Sequence, residues 1–213
     1  NECISDVAYL SLSRPAGTLA QSGQGDDAKS TLSLIAENIA DRNSGFKNLV
    51  ITDSSGNIVY EYEDIQGMKE SFFGFEELEG YSEGSTKISK IYMNNEDYET
   101  SVFYVAKSID ADGLNNIDGF AIEIIDLSKI SEILSKSSYG EGKGYLSVTD
   151  GTGCVLNYEG TAVQKIDDIS DSGIIDVMKS TTKPTSAENN VDYNAGGKLG
   201  CYNYFTGAST SNW

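Results

Sequence analysis

The segment Leu49–Glu61 reads LVITDSSGNIVYE, and the segment Leu146–Tyr158 further along the chain reads LSVTDGTGCVLNY. Each begins with apolar and β-branched residues, continues through Asp-x-x-Gly, and ends in a second apolar run. The carboxylate of Asp53 can cap its own turn and Gly56 can adopt a positive φ, and the second copy offers the same residue types, so each segment is predicted to form a β-hairpin. Two copies in similar surroundings indicate that two α+β modules repeat along the chain.

An amphipathic helix is predicted immediately before the first hairpin. Over Ala28–Arg42 the apolar residues recur at helical spacing and form one stripe. Asp26 or Asp27 is a suitable N-cap, and Asn43–Gly45 is a suitable helix end. The residues of the stripe are Ala28, Leu32, Ile35, Ala36 and Ile39.

The remaining elements follow the same order in both modules, namely helix, hairpin, helix and antiparallel strands. This order predicts an α+β fold in which each antiparallel sheet is flanked by helices. In the first module the elements are a short helix over Glu70–Leu78, strands over Thr86–Met93, Thr100–Ile109 and Gly119–Ile125, and a helix over Asp126–Ser137. In the second they are the hairpin Lys143–Tyr158, a helix over Asp168–Ser180, and strands over Asn190–Asn194 and Lys198–Phe205.

The chain is strongly acidic. Its 213 residues include 15 Lys and Arg against 33 Asp and Glu, which gives a formal net charge of −18. That excess repels nucleic-acid phosphates and anionic membrane surfaces, so nucleic acid is not an expected partner. Histidine is absent, which excludes Ser–His and Cys–His nucleophilic pairs. Adjacent carboxylates such as Glu76 and Glu77 diverge on a helix, so no catalytic site and no cofactor are predicted.

The cysteines and the acidic loops give no metal signature. Cys3, Cys154 and Cys201 have no CxxC spacing, although composition alone permits a disulfide between the last two. The loop Asp110–Asp118 is rich in Asp and Asn but lacks EF-hand spacing, because Leu114 occupies a ligand position and no Glu closes the loop. We therefore predict no metal site, and no apolar run reaches the roughly 20 residues that a membrane span needs.

Four segments, taken in order, resemble the double Cache (tandem PAS-like) extracytoplasmic sensor domain of bacterial transmembrane receptors. They match the family's entry into the first hairpin, its closing strand with linker helix, its second hairpin, and its penultimate strand leading to a Trp. The resemblance covers roughly residues 28 to 213. The segments are GFKNLVITDSSGNIV (Gly45–Val59), DGFAIEIIDLSKISEIL (Asp118–Leu134), GKGYLSVTDGTGCVLNY (Gly142–Tyr158) and GKLGCYNYFTGASTSNW (Gly197–Trp213).

The resemblance implies a long N-terminal helix followed by two PAS-like modules. The expected divisions are a helical region at 1–45, a membrane-distal module with its linker helix at 46–138, and a membrane-proximal module at 139–213 with its last strand cut short. The family's strand order would separate Cys154 and Cys201 by two strands, which is too far for a disulfide, so both are expected as thiols.

The resemblance also implies a ligand pocket in the distal module. Amino-acid-binding members carry an Arg followed by Trp-Tyr, a further Tyr, and an Asp on the closing strand. Here Phe72 and Phe73 stand near the Trp-Tyr position, Tyr92 resembles the later Tyr, and the nearest acid is Glu123, while Lys69 is the only nearby cation. An α-amino-acid ligand is therefore not the favoured one.

The predicted ligand-binding residues are Phe72, Phe73, Tyr92, Tyr104 and Glu123. If Glu123 points inward, it needs a cation, a hydrogen-bond donor or a raised pKa, and an amine enclosed by the aromatic rings would satisfy it. The alternative is that Glu123 faces solvent at a strand edge and that the phenylalanines are ordinary core.

We interpret the chain as the small-molecule sensing ectodomain of a membrane-anchored receptor that forms a homodimer at full length, without enzymatic activity. The receptor could be a chemoreceptor, a sensor histidine kinase or a cyclic-dinucleotide cyclase, and nothing in the 213 residues distinguishes these. The alternative from another class is an ectodomain that docks a protein and has no small-molecule ligand.

Overall fold

The protein, described here from a computed structural model, has an α+β fold that divides into two units, Asn1–Lys129 and Ile130–Trp213. The structure describes residues 2–64, 86–89, 102–114, 116–136, 138–139, 144–145, 148–149, 154–158, 161–165, 191–195 and 198–202. The predicted helices Glu70–Leu78 and Asp168–Ser180 lie outside these residues. The division at residue 138 stays a prediction, and the two units are described separately.

The N-terminal region forms three helices, not the single long helix that the family resemblance implied. They are α1 (Glu2–Ser11), α2 (Arg14–Ser22) and α3 (Asp26–Arg42). The first break occurs because the Ser13 side chain accepts a hydrogen bond from the backbone N–H of Ala16 and a proline follows in the first turn. The second occurs because Gly23 has a φ of 66°, which ends α2.

Helix α3 confirms the predicted apolar stripe, which is buried at Ala28, Leu32, Ala36 and Ile39. The N-cap residue is Gly25, one position before the predicted aspartates. Asp26 and Asp27 occupy the first turn instead, where their negative charge interacts favourably with the helix dipole.

The first unit contains a five-stranded sheet in which all neighbouring strands are antiparallel. The spatial order is β2-β1-β5-β4-β3, so β5 is the central strand. This confirms the predicted first hairpin and the three predicted strands that follow it, with shorter bounds for the first of those three. The strands are β1 (Phe46–Asp53), β2 (Ile58–Glu61), β3 (Thr86–Ile88), β4 (Val102–Ile109) and β5 (Gly119–Asp126).

The turn between β1 and β2 has the predicted chemistry. Oδ1 of Asp53 accepts hydrogen bonds from the backbone N–H groups of Ser55 and Asn57, each at 2.9 Å. The side-chain amide of Asn57 donates to Oδ2 of Asp53, also at 2.9 Å. Gly56 has a φ of 82°, so the Asp-x-x-Gly pattern is explained by side-chain capping and a left-handed backbone.

The sheet buries both of its faces. One face packs against the three helices, and its core joins helix residues such as Leu10, Leu19 and Leu32 to Leu49 and Ala121 of the sheet. On the opposite face the described strand residues form a separate apolar core. Its members are Val50, Val102, Tyr104, Ala106, Phe120, Ile122 and Ile124, with Ile58 and Ile117 at the margin.

Helix α2 approaches the sheet through small residues. A Cβ atom placed on Gly119 of β5 would meet the backbone oxygen of Thr52 and would lie 3.0 Å from Cβ of Ala20. A Cβ atom placed on Gly17 would lie 2.8 Å from Cβ of Ala111. This close packing depends on the missing side chains of the two glycines.

Helix α4 (Leu127–Ser135) follows β5 without a break and matches the predicted linker helix. In the second unit, three of the described strands form an antiparallel sheet with the spatial order β10-β9-β8. Two further antiparallel pairs are formed by β6 with β7 and by β11 with β12. These strands are β6 (Ser138–Tyr139), β7 (Gly144–Tyr145), β8 (Val148–Thr149), β9 (Cys154–Tyr158), β10 (Thr161–Lys165), β11 (Val191–Ala195) and β12 (Lys198–Tyr202).

We expect Gly119→Ala to lower the free energy of unfolding by about 2–3 kcal/mol, because the added methyl group must displace α2 or the β1 backbone. The matched control is Gly113→Ala, whose added Cβ has no neighbour within 4 Å. Gly113 has a φ of 71°, so this control should cost about 1 kcal/mol from backbone conformation alone. Urea denaturation measures both, and equal losses would contradict the close approach of the β1 backbone and α2 to Gly119.

Candidate functional site

Two of the five predicted ligand-binding residues, Tyr104 and Glu123, belong to the part of the chain that the structure describes. Phe72, Phe73 and Tyr92 lie outside it, so their proposed roles stay predictions. The geometry of the site is therefore built from β4 and β5.

The structure does not bring Tyr104 and Glu123 together. Tyr104 is paired across the strands with Ile124, and Glu123 is paired with Val105, and cross-strand partners share a face of the sheet. Since successive residues on a strand point to opposite faces, Tyr104 lies on the apolar face opposite the helices and Glu123 on the helix face. Tyr104 and Glu123 therefore do not face the same side of the sheet.

Tyr104 is held firmly within the apolar face, with 1% of its surface exposed. Its backbone carbonyl accepts from the N–H of Ser89 at 2.9 Å, and its own N–H donates to the Ser89 hydroxyl at 2.9 Å. Ser89 is itself buried and extends the pairing of β3 with β4 by one residue. The surrounding apolar side chains make this face suited to an aromatic or aliphatic contact.

Glu123 is fully buried in the central strand, so it lies neither at a strand edge nor in solvent. Its Oε1 accepts a hydrogen bond from the side-chain amide of Asn43 at 3.1 Å, and the same amide nitrogen donates to Sγ of Cys3 at 3.5 Å. The Asn43 side-chain oxygen accepts from the N–H of Gly45 at 3.0 Å, which fixes its orientation. The donor that an inward Glu123 needs is thus supplied by the C-cap residue of α3.

A second buried carboxyl group lies close by. Asp6 of α1 is 9% exposed, and its Oδ1 accepts from Nη2 of Arg42 at 2.5 Å. Among the described residues, Oδ2 of Asp6 and Oε2 of Glu123 have no hydrogen-bond partner. We call Cys3, Asp6, Arg42, Asn43 and Glu123 the polar cluster. Sequence reasoning identified only Glu123 as a site candidate and treated Asn43 as a helix end.

The electrostatics of the polar cluster follow from burial. Burial raises the pKa of Glu123 to about 7, the negative charge of Asp6 adds to the rise, and hydrogen bonds from Cys3 and Asn43 and the charge of Arg42 oppose it. Burial likewise raises the pKa of the Cys3 thiol to about 12, assisted by the charge of Glu123. Near neutral pH the Cys3 side chain is therefore a neutral thiol, and the carboxyl group of Glu123 is partly protonated.

The loop between β4 and β5 brings the carboxylates of Asp110, Asp112 and Asp118 within 4.8 Å of one another. Each accepts a backbone N–H of its own loop: Gly113 donates to Asp110, Leu114 to Asp112, and Ala111 to Asp118. These hydrogen bonds show that the three aspartates cap turns of the loop. Asn115, which belongs to the same loop, lies outside the described residues.

No family model matches the chain, and no curated protein matches it. Solved structures do. A domain of a protein assigned to the sensory box/GGDEF family of Vibrio parahaemolyticus matches with a TM-score of 0.57 at 13% identity, over 79% of this chain and 67% of that one. The ligand-binding domain of the amino acid chemoreceptor PctC of Pseudomonas aeruginosa, in complex with GABA, matches with a TM-score of 0.55 at 14% identity, over 95% and 84% of the two chains.

A third match is the extracellular domain of rpHK1S-Z16, assigned as a histidine kinase, with a TM-score of 0.56 at 12% identity over 92% of this chain and 83% of that one. At these identities the likeness is one of fold, and at that level the predicted resemblance to Cache sensor domains is confirmed. Within the described residues, none of the helices combines the length and the apolar character that crossing a bilayer requires.

We expect Asn43→Ala to lower the free energy of unfolding by about 2–3 kcal/mol, because it removes the hydrogen bond to a fully buried carboxyl group and the acceptor of the Gly45 N–H. The pKa of Glu123 should rise further, since a bond that lowers it is lost. Asn38→Ala is the matched control. That amide is exposed and, among the described residues, donates to the Leu34 carbonyl of its own helix, so its loss should cost less than about 0.5 kcal/mol. Similar losses in urea denaturation would show that Asn43 does not stabilise Glu123.

Proposed function

We propose that this chain is the extracytoplasmic sensing domain of a membrane-anchored receptor and that its first unit binds a small molecule. The observation that supports the proposal most directly is the fold. The first unit has an antiparallel five-stranded sheet with helices on one face, and the chain matches a chemoreceptor ligand-binding domain over 95% of its length. The match to an extracellular domain assigned to a histidine kinase supports the extracytoplasmic location.

The ligand site is proposed on the apolar face of the sheet that carries Tyr104. This face is separate from the helix layer, and Tyr104 is a buried aromatic residue of its core. Phe72, Phe73 and Tyr92 are the proposed aromatic partners, which would suit a ligand with a cationic or apolar group. PctC was solved with GABA, an amine with a carboxylate, so amines remain a class to test first.

Glu123 is assigned no direct ligand contact in this proposal, because it lies on the helix face and is bonded to Asn43. In the proposal Glu123 therefore does not serve as the charge partner of an amine. Within the described residues the apolar face has no buried unpaired carboxylate, so an ammonium group would have to find its charge partner beyond them.

Signalling is proposed to work by population shift. A ligand on the apolar face would favour one arrangement of the sheet, and α3 packs against β1 of the same sheet through its buried stripe. A change in the sheet would then displace α3 and alter a homodimer of the full-length receptor. No catalytic step and no cofactor belong to the proposal.

The proposal is tested by a thermal-shift screen of the chain with GABA, other amines, α-amino acids, carboxylates, purines and sugars. A ligand at about 100 times its dissociation constant should add about 2.7 kcal/mol of stability and raise the melting temperature clearly. If no class raises it, the protein-docking alternative gains support and the small-molecule proposal fails.

The location of the site is tested with three conservative variants and calorimetric Kd values for the ligand found. Tyr104→Phe should weaken binding about fivefold to tenfold through loss of one hydrogen bond. Tyr60→Phe is the matched control, since Tyr60 is a buried tyrosine of the helix-face core whose hydroxyl bonds Ser33 at 3.1 Å, and it should leave Kd unchanged. Glu123→Gln should also leave Kd unchanged. Loss of binding in Glu123→Gln alone would move the ligand to the helix face.

A further inference from the structure

The polar cluster contains one more negative than positive charge when both of its carboxyl groups are ionised. Asp6 and Glu123 are buried, and Arg42 is the one basic side chain of the cluster, with its guanidinium bonded to Asp6. Glu123 receives its hydrogen bonds from uncharged donors, the Asn43 amide and the Cys3 thiol, and its Oε2 has no partner among the described residues. A buried carboxylate in this state is costly, and a bound proton removes the excess charge.

We propose that a proton on Glu123 fastens α1 to the sheet, so that α1 is docked more firmly in acid than in alkaline solution. The proposal concerns the helix face and goes beyond the ligand-sensing function, on which it does not depend. The cluster joins three elements, since Cys3 and Asp6 belong to α1, Arg42 and Asn43 to the end of α3, and Glu123 to β5.

Among the described residues, the titratable groups that act on Glu123 belong to α1 and α3. Helix α1 contributes the carboxylate of Asp6 and the thiol of Cys3, and α3 contributes the guanidinium of Arg42. On β1 the facing residue is the uncharged Leu49, and on β4 it is the uncharged Val105. Lys107 is the charged residue of β4 on this face, but it lies two residues further along the strand, opposite Ala121.

The direction of the effect follows from proton linkage. The pKa of Glu123 is raised from 4.5 to about 7 in the folded state, because burial and Asp6 disfavour its charge. When α1 leaves the sheet, solvent reaches the carboxyl group and Asp6 moves away, so its pKa falls back toward the ordinary value. Between these two values the docked state binds the proton and the undocked state does not. Docking therefore weakens as the pH rises through this window and stays constant above it.

The experiment is hydrogen–deuterium exchange of the backbone amides of α1 at about pH 5 and about pH 8, corrected for the intrinsic exchange rate at each pH. In the wild-type chain the protection of α1, relative to the buried turns of α3, should be at least about tenfold lower at pH 8 than at pH 5. A tenfold change corresponds to roughly one unit of difference between the pKa values of Glu123 in the docked and undocked states. Glu123→Gln, which cannot ionise, should show the same protection at both values. Glu37→Gln, an exposed glutamate on α3, is the matched control and should behave as wild type.

Three results would overturn the proposal: α1 protection that does not change with pH in the wild type, an equal fall in Glu123→Gln, or an equal fall in α3. If Glu123→Gln does not fold, the side-chain carboxyl carbon of Glu123 is titrated by NMR in the wild-type chain instead. A midpoint above about pH 6 supports the proposal, and a midpoint at or below that value overturns it, because the folded state would then hold no proton near neutral pH.

Discussion

The central position of β5 constrains everything packed around it. Hydrogen bonds to β1 on one side and β4 on the other fix its register, and seven of its eight residues are buried. In such a strand successive side chains point alternately into two cores, so the position of a residue along the strand decides which face of the sheet its side chain lies on. Phe120, Ile122 and Ile124 complete the apolar face, whereas Ala121 and Glu123 face the helices. A shift of one residue would exchange these two sets.

Local signals in the sequence were sufficient for elements whose causes are local. The Asp53 turn was predictable because a carboxylate, two following N–H groups and a glycine all lie within five residues. The stripe of α3 was predictable because apolar side chains recur at helical spacing. The break before α2 was missed although its cause is also local: Ser13 followed by Pro15 is a helix-start signal, and the expectation of one long helix took precedence over it.

The environment of Glu123 could not be predicted in the same way. The run from Phe120 to Ile125 is apolar on both sides of Glu123, so it contains no alternation that would show which face meets the helices. The partner of Glu123 is Asn43, 80 residues away in sequence, and Cys3 is more distant still. The requirement for a donor was nevertheless clear from the sequence, since a buried carboxyl group needs one. What the sequence lacked was the tertiary contact that supplies it.

The small residues between α2 and the sheet have a mechanical consequence. Gly17, Ala20, Ala111 and Gly119 have no side-chain torsions to rearrange, so this contact costs little rotamer entropy and offers no rotamer adjustment. The larger side chains under α1 and α3, such as Leu10 and Leu32, can change rotamer and absorb small displacements. We therefore expect α2 to follow a displacement of the sheet more closely than α1 and α3, whose larger side chains can repack.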